Sequence, residues 1–340
     1  MSQEQPTIKR SLSGIKPTGT GSPHLGNYLG MIRPAIALQN AYEPYYFVAD
    51  YHALTTMRNP EIMREATRTI TAYFMAFGLD LERSAFFRQS DVPEVTELAW
   101  MLSCVTHMGR LQRAHSYKAA LDENRAGEIN HGVFSYPVLM AADILIYDSD
   151  IVPVGADQTQ HLEMARDMAR AFNEQFGGDF LKLPEARISE EVATIPGIDG
   201  RKMSKSYGNT IEPLLPSKKL RKQVMKIETD YTPMEEPMDT SDCNVFALYK
   251  FFSTEDEQLE LAERYKRSDF GYGHAKQALF EKMDEHFAPY RERYDELMAN
   301  PEELDEALRA GAERVRPTVN EVMERVRSAV GLPSKPSQAR

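Results

Sequence analysis

The chain has 340 residues, of which 42% are hydrophobic and 27% are charged, a composition typical of a globular protein. No stretch approaches the ~18 consecutive apolar residues of a membrane helix, and the first residues, MSQEQPTIKR, lack the apolar run of a secretory signal. The net charge of −11 argues against a protein that coats nucleic acid non-specifically. Two cysteines, Cys104 and Cys243, exclude a cysteine-rich metal site and indicate a reducing, cytoplasmic location without a membrane partner.

Short apolar runs alternate with helical patterns over the first two hundred residues. Segments 45–50, 84–89 and 151–155 each have the profile of a buried parallel strand. The intervening segment 60–77 is amphipathic and predicts a helix, with Asn59 as its cap. Strand, helix and strand in series predict an α/β fold with a doubly wound parallel sheet, of the nucleotide-binding (Rossmann) type, whose ligands bind beyond the carboxyl ends of the strands.

After residue 210 the strand pattern stops and an α-helical domain is predicted. Its helices are expected at 216–228, 243–252, 255–267, 272–299, 301–314 and 317–330, with a kink or division at Pro289. We therefore expect a catalytic domain over residues 1–210, an α-helical C-terminal domain over 211–332 and a frayed tail over 333–340.

A glycine-rich turn near the start, GIKPTGTGSPHLGNYLG over residues 14–30, leads into a predicted helix that begins between His24 and Asn27. Glycines allow close backbone approach, and a helix N-terminus offers free N–H groups to an anion. Alone the turn is a weak phosphate signal, because such clusters are usually plain loops and a lone histidine is usually structural.

A second loop, GRKMSKSYGN over residues 200–209, carries two lysines and two hydroxyl groups between glycines. Taken alone, it is also compatible with a solvated basic loop. The combination of HLGN early in the chain and KMSKS late, on an α/β pattern, resembles the two signatures of class I aminoacyl-tRNA synthetases. Neither a Walker A sequence nor GxGxxG is present, which disfavours ordinary NTPases and dehydrogenases.

Within that class, the sequence resembles the tryptophanyl-tRNA synthetases over nearly its whole length. The matching stretches are FVADYHALT at 47–55, SYPVLMAADILIY at 135–147 and VPVGADQTQHLE at 152–163. Helical spacing places Tyr136, Met140 and Asp143 on one face. A carboxylate accepts hydrogen bonds only, so Asp143 suits the indole N–H, although a phenol could also donate to it. Met140 discriminates better, because tyrosyl relatives tend to have glutamine there, although core filling by a thioether is the alternative.

The resemblance implies roles for individual residues. As catalytic residues it implies His24, Asn27, Lys202 and Lys205. As ATP-binding residues it implies Lys16, Pro17, Thr18, Gly26, Asn27, Gly155, Ala156, Asp157, Ile195, Lys202, Met203, Ser204, Lys205 and Ser206. As tryptophan-binding residues it implies His52, Tyr136, Met140, Asp143, Val152, Val154 and Gln158, whereas His161 is expected to orient its own helix. No histidine shows paired metal-ligand spacing, so no protein metal site is expected.

Two departures from the family pattern lie in the first signature. Pro17 and His24 are two residues farther apart than in most relatives, which requires a bulge near Gly21 and Ser22. Position 16 is lysine where many relatives have glutamine, which would add a phosphate contact. Some relatives hold an iron–sulfur cluster near the C-terminus, but two cysteines cannot supply its ligands.

The family implies a tryptophan–tRNA ligase that uses L-tryptophan, ATP with its Mg²⁺ and tRNA(Trp), and that forms a homodimer. A tyrosine-specific ligase and a catalytically silent RNA-binding module are the two alternatives. For the tRNA contact we expect basic residues of the C-terminal domain to cluster, since an acidic protein must gather cations locally. The candidates are Lys218, Lys219, Arg221, Lys222 and Lys226 in one segment, and Arg309, Arg314, Arg316, Arg325 and Arg327 in another.

Overall fold

The computed structural model describes residues 8–19, 21–114, 117, 130–154, 159–188, 195–230, 232–233 and 236–333. Its centre is a five-stranded parallel sheet with the order β3-β2-β1-β4-β5. The strands are β1 (Arg10–Ile15), β2 (Glu43–Val48), β3 (Ala85–Arg88), β4 (Ile151–Val154) and β5 (Glu185–Ile188). The chain moves outward from β1 to β3 and then returns to β4 on the other side. The doubly wound parallel sheet predicted from the sequence is confirmed.

The first part of the chain places helices between these strands. They are α1 (Leu25–Asn27), α2 (Arg33–Leu38), α3 (Asp50–Ala53), α4 (Pro60–Ala76), α5 (Glu94–Val105), α6 (Met108–Leu111), α7 (His131–Leu145) and α8 (Thr159–Phe176). A π-helical turn, Tyr28–Ile32, joins α1 to α2. Asn59 caps α4 as predicted, because its side chain accepts from the backbone N–H groups of Glu61 and Ile62.

The described residues after 210 form helices and loops, as expected. These helices are α9 (Ser217–Val224), α10 (Asn244–Tyr249), α11 (Glu255–Tyr265), α12 (Tyr272–Ala299) and α13 (Pro301–Ala329). Of the kink or division expected at Pro289, the division is wrong, because Pro289 lies inside the continuous helix α12. The expected break before Pro317 is also wrong, since α13 continues through it.

Strand β2 shows why the sheet is buried on both faces. Tyr45 and Phe47 belong to a core with α5, α7, α8 and α13, whereas Tyr46 and Val48 belong to a second core with α4 and the helices α9 to α12. Alternate side chains of a strand point to opposite faces, so a continuous apolar run fills both cores. The carboxyl ends of the strands remain free of this packing and form the edge where a ligand can bind.

The last helix, α13, packs against strand β3 of the sheet. Gly311 lies so close to this strand that a Cβ atom there would be 2.0 Å from the carbonyl oxygen of Phe86. Val315, Val319 and Val322 are fully buried in the first core. Burial of this apolar stripe over the sheet stabilises a continuous helix in spite of the missing N–H of Pro317.

The arginines of α13 hold this helix against the rest of the chain. Arg316 pairs with Glu94 at 3.2 Å, Arg325 with Asp148 at 2.7 Å, and Arg327 with Glu97 at 2.6 Å. Arg314 donates to the carbonyl oxygen of Ser84 at 3.5 Å, and Arg309 to that of Asp305 in its own helix at 3.3 Å. The guanidinium groups of Arg316, Arg325 and Arg327 are thus paired within the fold, and a contact of this segment with tRNA stays a prediction.

Within the part of the chain that the structure describes, no helix is both long and apolar enough to cross a membrane. Cys104 is exposed and Cys243 is buried, and both are free thiols.

Candidate active site

A cavity of about 660 Å³ lies at the carboxyl ends of the strands, where the topology predicts a ligand site. Its wall contains many of the residues expected from the sequence. These are Lys16 after β1, His52 after β2, Tyr136, Met140 and Asp143 on α7, and Val152 on β4, and Thr55 lines the cavity as well.

Asp143 lies on the floor of this cavity with 1% of its surface exposed. Its Oδ2 atom is 2.8 Å from Nε2 of His52, and both carboxylate oxygens accept hydrogen bonds of 2.8 Å from Nε2 of Gln89. A buried aspartate requires hydrogen-bond partners, and Asp143 has two, His52 and Gln89. Burial raises the pKa of Asp143, and the hydrogen bond from His52 is the strongest opposing effect.

Gln89 is a site residue that sequence reasoning missed. It is fully buried after β3, and its Oε1 atom accepts from the backbone N–H groups of Tyr51 at 3.0 Å and His52 at 3.4 Å. It therefore fixes both the carboxylate of Asp143 and the start of α3. The only signal in the sequence was its position as the last polar residue of a predicted strand segment.

Tyr136 and His161 form a second polar pair on the cavity wall. The hydroxyl group of Tyr136 is 3.1 Å from Nε2 of His161, and both residues line the cavity. His161 therefore holds a side chain of the site, a broader role than the expected orientation of its own helix. Gly155, Ala156, Asp157 and Gln158 lie outside the described residues, as does the side chain of Val154.

The first signature forms a helix start with a reciprocal cap. The Nδ1 atom of His24 accepts from the backbone N–H of Asn27 at 3.3 Å, and Oδ1 of Asn27 accepts from the backbone N–H of His24 at 3.1 Å. Because Nδ1 is the acceptor, the proton of the neutral ring is on Nε2. Burial, assisted by the charge of Lys205, lowers the pKa of His24 to about 4. At neutral pH the ring is thus an uncharged N–H donor.

The longer spacing between Pro17 and His24 is accommodated by a tight turn. Gly21 has a φ of +81°, and its N–H donates to the carbonyl oxygen of Thr18 at 2.9 Å. A Cβ atom at Gly21 would be 2.5 Å from the backbone of Ala66 in α4. Only glycine fits this conformation and this contact. The expected bulge is present, and His24 stays at the helix start. Beyond β1, Nζ of Lys16 donates to Oγ1 of Thr55 at 3.1 Å.

The second signature contacts the first through a buried methionine. The Sδ atom of Met203 accepts from the backbone N–H of Gly26 at 3.4 Å, and the N–H of Met203 donates to the carbonyl oxygen of Ile195 at 2.9 Å. A short 3₁₀ turn, Lys205–Tyr207, follows and is capped by Ser204. Burial lowers the pKa of Lys205. Lys202 is exposed. The two signatures, about 180 residues apart, therefore form one surface.

Comparison with known proteins identifies the family of this chain. The family model of class I tRNA synthetases (W and Y) matches residues 6–288. A tryptophan–tRNA ligase of Fusobacterium nucleatum is 47% identical over 96% of this chain and 98% of its own length. One from Xanthomonas campestris is 49% identical over 97% of this chain and 78% of its own length.

The chain belongs to the tryptophan–tRNA ligase family of class I tRNA synthetases. The crystal structure of tryptophanyl-tRNA synthetase from Campylobacter jejuni complexed with ADP and tryptophan is 44% identical, with a TM-score of 0.90. The alignment covers 95% of this chain and all of that one. The α/β fold with a helical C-terminal part is thus a property that this chain shares with the family.

The low pKa of His24 predicts a pH dependence of stability in this family member. Its ordinary value is 6.5 and its folded value is about 4, so below pH 6.5 the unfolded chain binds a proton that the folded chain does not. The free energy of unfolding should therefore decrease as the pH falls from 6.5 towards 4. In His24→Asn, which keeps a capping side chain without a titrating ring, this loss should be smaller.

Urea unfolding midpoints at about pH 7.5 and about pH 5 measure this effect. His286, whose pKa is also lowered by burial, is common to both proteins and cancels in the comparison. Equal losses of stability in the wild type and in His24→Asn would contradict the assignment of a neutral, buried His24.

Proposed function

We propose that the chain carries out the reaction of its family in two steps at this cavity. In the first step an oxygen of the tryptophan carboxylate attacks the α-phosphorus of ATP, and pyrophosphate leaves. In the second step a hydroxyl of the terminal ribose of tRNA(Trp) attacks the carbonyl carbon of the adenylate, and AMP leaves. The observation that carries the proposal is the arrangement of a buried carboxylate, Asp143, on the floor of the cavity and two contacting signature segments beyond the same strand ends.

The indole ring would lie over the floor of the cavity. Asp143 would accept from the indole N–H, with His52 and Gln89 holding its carboxylate in place. Met140 and Val152 would supply apolar contacts to the ring. Tyr136 and Gln158 would bind the ammonium and carboxylate groups of the amino acid.

The phosphates would lie against the two signatures. His24, through its Nε2–H, and Asn27 would donate to phosphate oxygens at the N-terminus of α1. Lys202 and Lys205 would follow the departing pyrophosphate, and Ser204 and Ser206 would add hydroxyl donors. Lys16, Pro17, Thr18, Gly26, Ile195 and Met203 would shape the nucleotide site, and Gly155, Ala156 and Asp157 would contact the ribose. Catalysis is then positioning and charge stabilisation by the chain.

Mg²⁺ would arrive with ATP and neutralise charge on its phosphates. Among the described residues no group of three or more histidine, cysteine or acidic side chains could hold a metal ion. Because Mg²⁺ usually keeps several waters and is bound through substrate phosphates, we assign the ion to the oxygens of the nucleotide and to water.

We further propose a division of labour along the chain. Residues 1–210 would bind ATP and tryptophan, residues 211–332 would bind tRNA including its anticodon, and 333–340 would be a tail. The enzyme would act as a homodimer in the cytoplasm, where its free thiols remain reduced.

Amino-acid-dependent exchange of pyrophosphate into ATP tests the activation step. We expect exchange with L-tryptophan and at least a hundredfold lower kcat/KM with L-tyrosine. Exchange with tyrosine alone would establish the tyrosine-specific alternative. No exchange with any amino acid, in a folded protein that still binds tRNA, would establish the silent RNA-binding module.

Asn209 is a further residue that positions the second signature. Its Nδ2 group donates to Oδ1 of Asp199 at 2.7 Å and to the carbonyl oxygen of Lys202 at 3.2 Å, while its Oδ1 atom accepts from the N–H of Ser204 at 2.8 Å. The side chain is 3% exposed. A Cβ atom on Gly197 would be 2.3 Å from Nδ2, so glycine there leaves room for this amide. One amide thus ties both ends of the lysine-bearing loop together.

Asn209→Asp should therefore impair the loop by electrostatics with almost no change of volume. It places a carboxylate against that of Asp199 and removes the donor, so kcat/KM for ATP should fall about tenfold or more near pH 8. Activity should recover towards lower pH as the two carboxylates share a proton. Pyrophosphate exchange as a function of pH measures this.

The double variant Asp199→Asn, Asn209→Asp is the matched control. It exchanges the amide and the carboxylate and restores a donor between the two positions, so it should recover most of the loss. A double variant as impaired as the single one, with an unchanged pH profile, would contradict the electrostatic role of Asn209.

A further inference from the structure

The short helix α9 presents an exposed basic face directly after the second signature. Lys218, Lys219, Arg221 and Lys222 on α9 are exposed, as is Lys226 just after its end, and these five residues are here called the basic face of α9. Arg221 donates to Oε1 of Gln277 at 3.0 Å. None of these five side chains forms an ion pair with an acidic side chain in the part of the chain that the structure describes. In a chain with a net charge of −11, five basic residues within nine positions form a local excess of positive charge.

The basic residues of α13 contrast with this face. There Arg316, Arg325 and Arg327 are each neutralised by a carboxylate of another element. Such pairs leave little net charge to attract a polyanion. Arg309 and Arg314 of α13 are exposed and contact only carbonyl oxygens, so the larger cluster of unpaired basic side chains is the one at α9.

The basic face is fixed relative to the nucleotide site. Leu220 and Val224, on the opposite side of α9, are fully buried in the second core. Oε1 of Gln223 accepts from the N–H of Glu212 at 2.9 Å, and the carbonyl oxygen of Ile211 accepts from the N–H of Leu25 at 2.7 Å. A chain of direct contacts thus runs from α9 to the start of α1.

We propose that the basic face of α9 binds the sugar–phosphate backbone of the tRNA. The proposal rests on the proposed function, because it concerns the second substrate of that reaction. Lysine ammonium groups on flexible stems suit phosphate contacts that are independent of base sequence. Such contacts displace counterions from the RNA, so their loss weakens both the affinity and its salt dependence. The proximity of α9 to the signatures places this contact on the side of the molecule where the adenylate forms.

The test is the double charge reversal Lys219→Glu, Lys222→Glu. The matched control is Lys266→Glu, Arg267→Glu, which makes the same change of net charge on two exposed residues at the end of α11. Aminoacylation of a tRNA(Trp) transcript is measured over a range of KCl concentrations, and tryptophan-dependent pyrophosphate exchange is measured in parallel.

We expect the α9 variant to raise the KM for tRNA about tenfold or more at low salt. The slope of log kcat/KM against log salt should become shallower by about 1 to 2, as expected for two lost phosphate contacts. Exchange should stay within about twofold of the wild type, and the control should behave as the wild type in both assays.

Three results would overturn the proposal. They are an unchanged KM and slope for tRNA, an equal effect in the control variant, and a parallel loss of exchange, which would make α9 a structural element of the first step. Failure of the proposed function is distinguishable, because it would appear as absent exchange in the wild type.

Discussion

Replacing Lys205 with alanine is expected to lower the rate of adenylate formation by about 10²–10³-fold, the usual effect of removing one donor aimed at developing charge. Under the proposed function Lys205 binds the phosphates together with His24, and its positive charge contributes to the lowered pKa of that ring. Its charge is most useful as pyrophosphate departs. The loss should therefore appear in kcat, with little change in the KM for tryptophan.

Lys205→Arg is the control for charge, since it retains a cation at the same position with a different shape. It should recover part of the lost rate in single-turnover measurements of adenylate formation. A raised KM for tryptophan with a normal kcat in Lys205→Ala would contradict a role at the transition state.

Asp143→Asn should lower kcat/KM for tryptophan about ten- to a hundredfold, because hydrogen bonds to a charged group contribute roughly 1.5–3 kcal/mol. The carboxylate accepts from both His52 and Gln89. An asparagine offers only one acceptor oxygen, so its amide group would face one of these donors as well as lose the charge. The indole N–H would then find a weaker acceptor in a different orientation.

Asp150→Asn provides a matched neutralisation outside the cavity, since Asp150 precedes β4 and pairs with Lys182 at 2.6 Å. Pyrophosphate exchange at varied tryptophan concentration measures both variants. Equal kcat/KM in Asp143→Asn and the wild type would show that this carboxylate does not bind the indole ring.

Strands β2, β3 and β4 were predictable from their apolar runs, whereas the central strand β1, RSLSGI, was not, because serine and glycine interrupt its apolar residues. The apolar side chains of Tyr45–Val48 point to both faces of the sheet, so they require a hydrophobic core on each side. The structure has both cores. Strand β5, with the sequence EARI, was missed because it is a short edge strand with exposed residues. The break expected before Pro317 is wrong because local helix propensity and tertiary packing disagree there. Proline disfavours a continuous helix, but burial of the neighbouring valines stabilises it.

The site was predictable where chemistry lies in a contiguous motif. His24, Lys205 and the face of α7 with Asp143 were identified from local sequence and from the family resemblance. Gln89 and Asn209 were not, because their importance comes from partners that only the folded chain brings near: Asp143 for one, Asp199 for the other. An isolated glutamine or asparagine carries no periodicity or spacing that would single it out.

The close packing of α13 on β3 has a consequence for biosynthesis. The edge of the parallel sheet is covered by valines more than 200 positions downstream, so it stays bare until those valines have left the ribosome. The parallel sheet and the helical C-terminal part are therefore interdependent in folding. A nascent chain that stops before Pro301 would present the apolar flank of β3 to water and to chaperones, and completion of α13 would be the event that releases it.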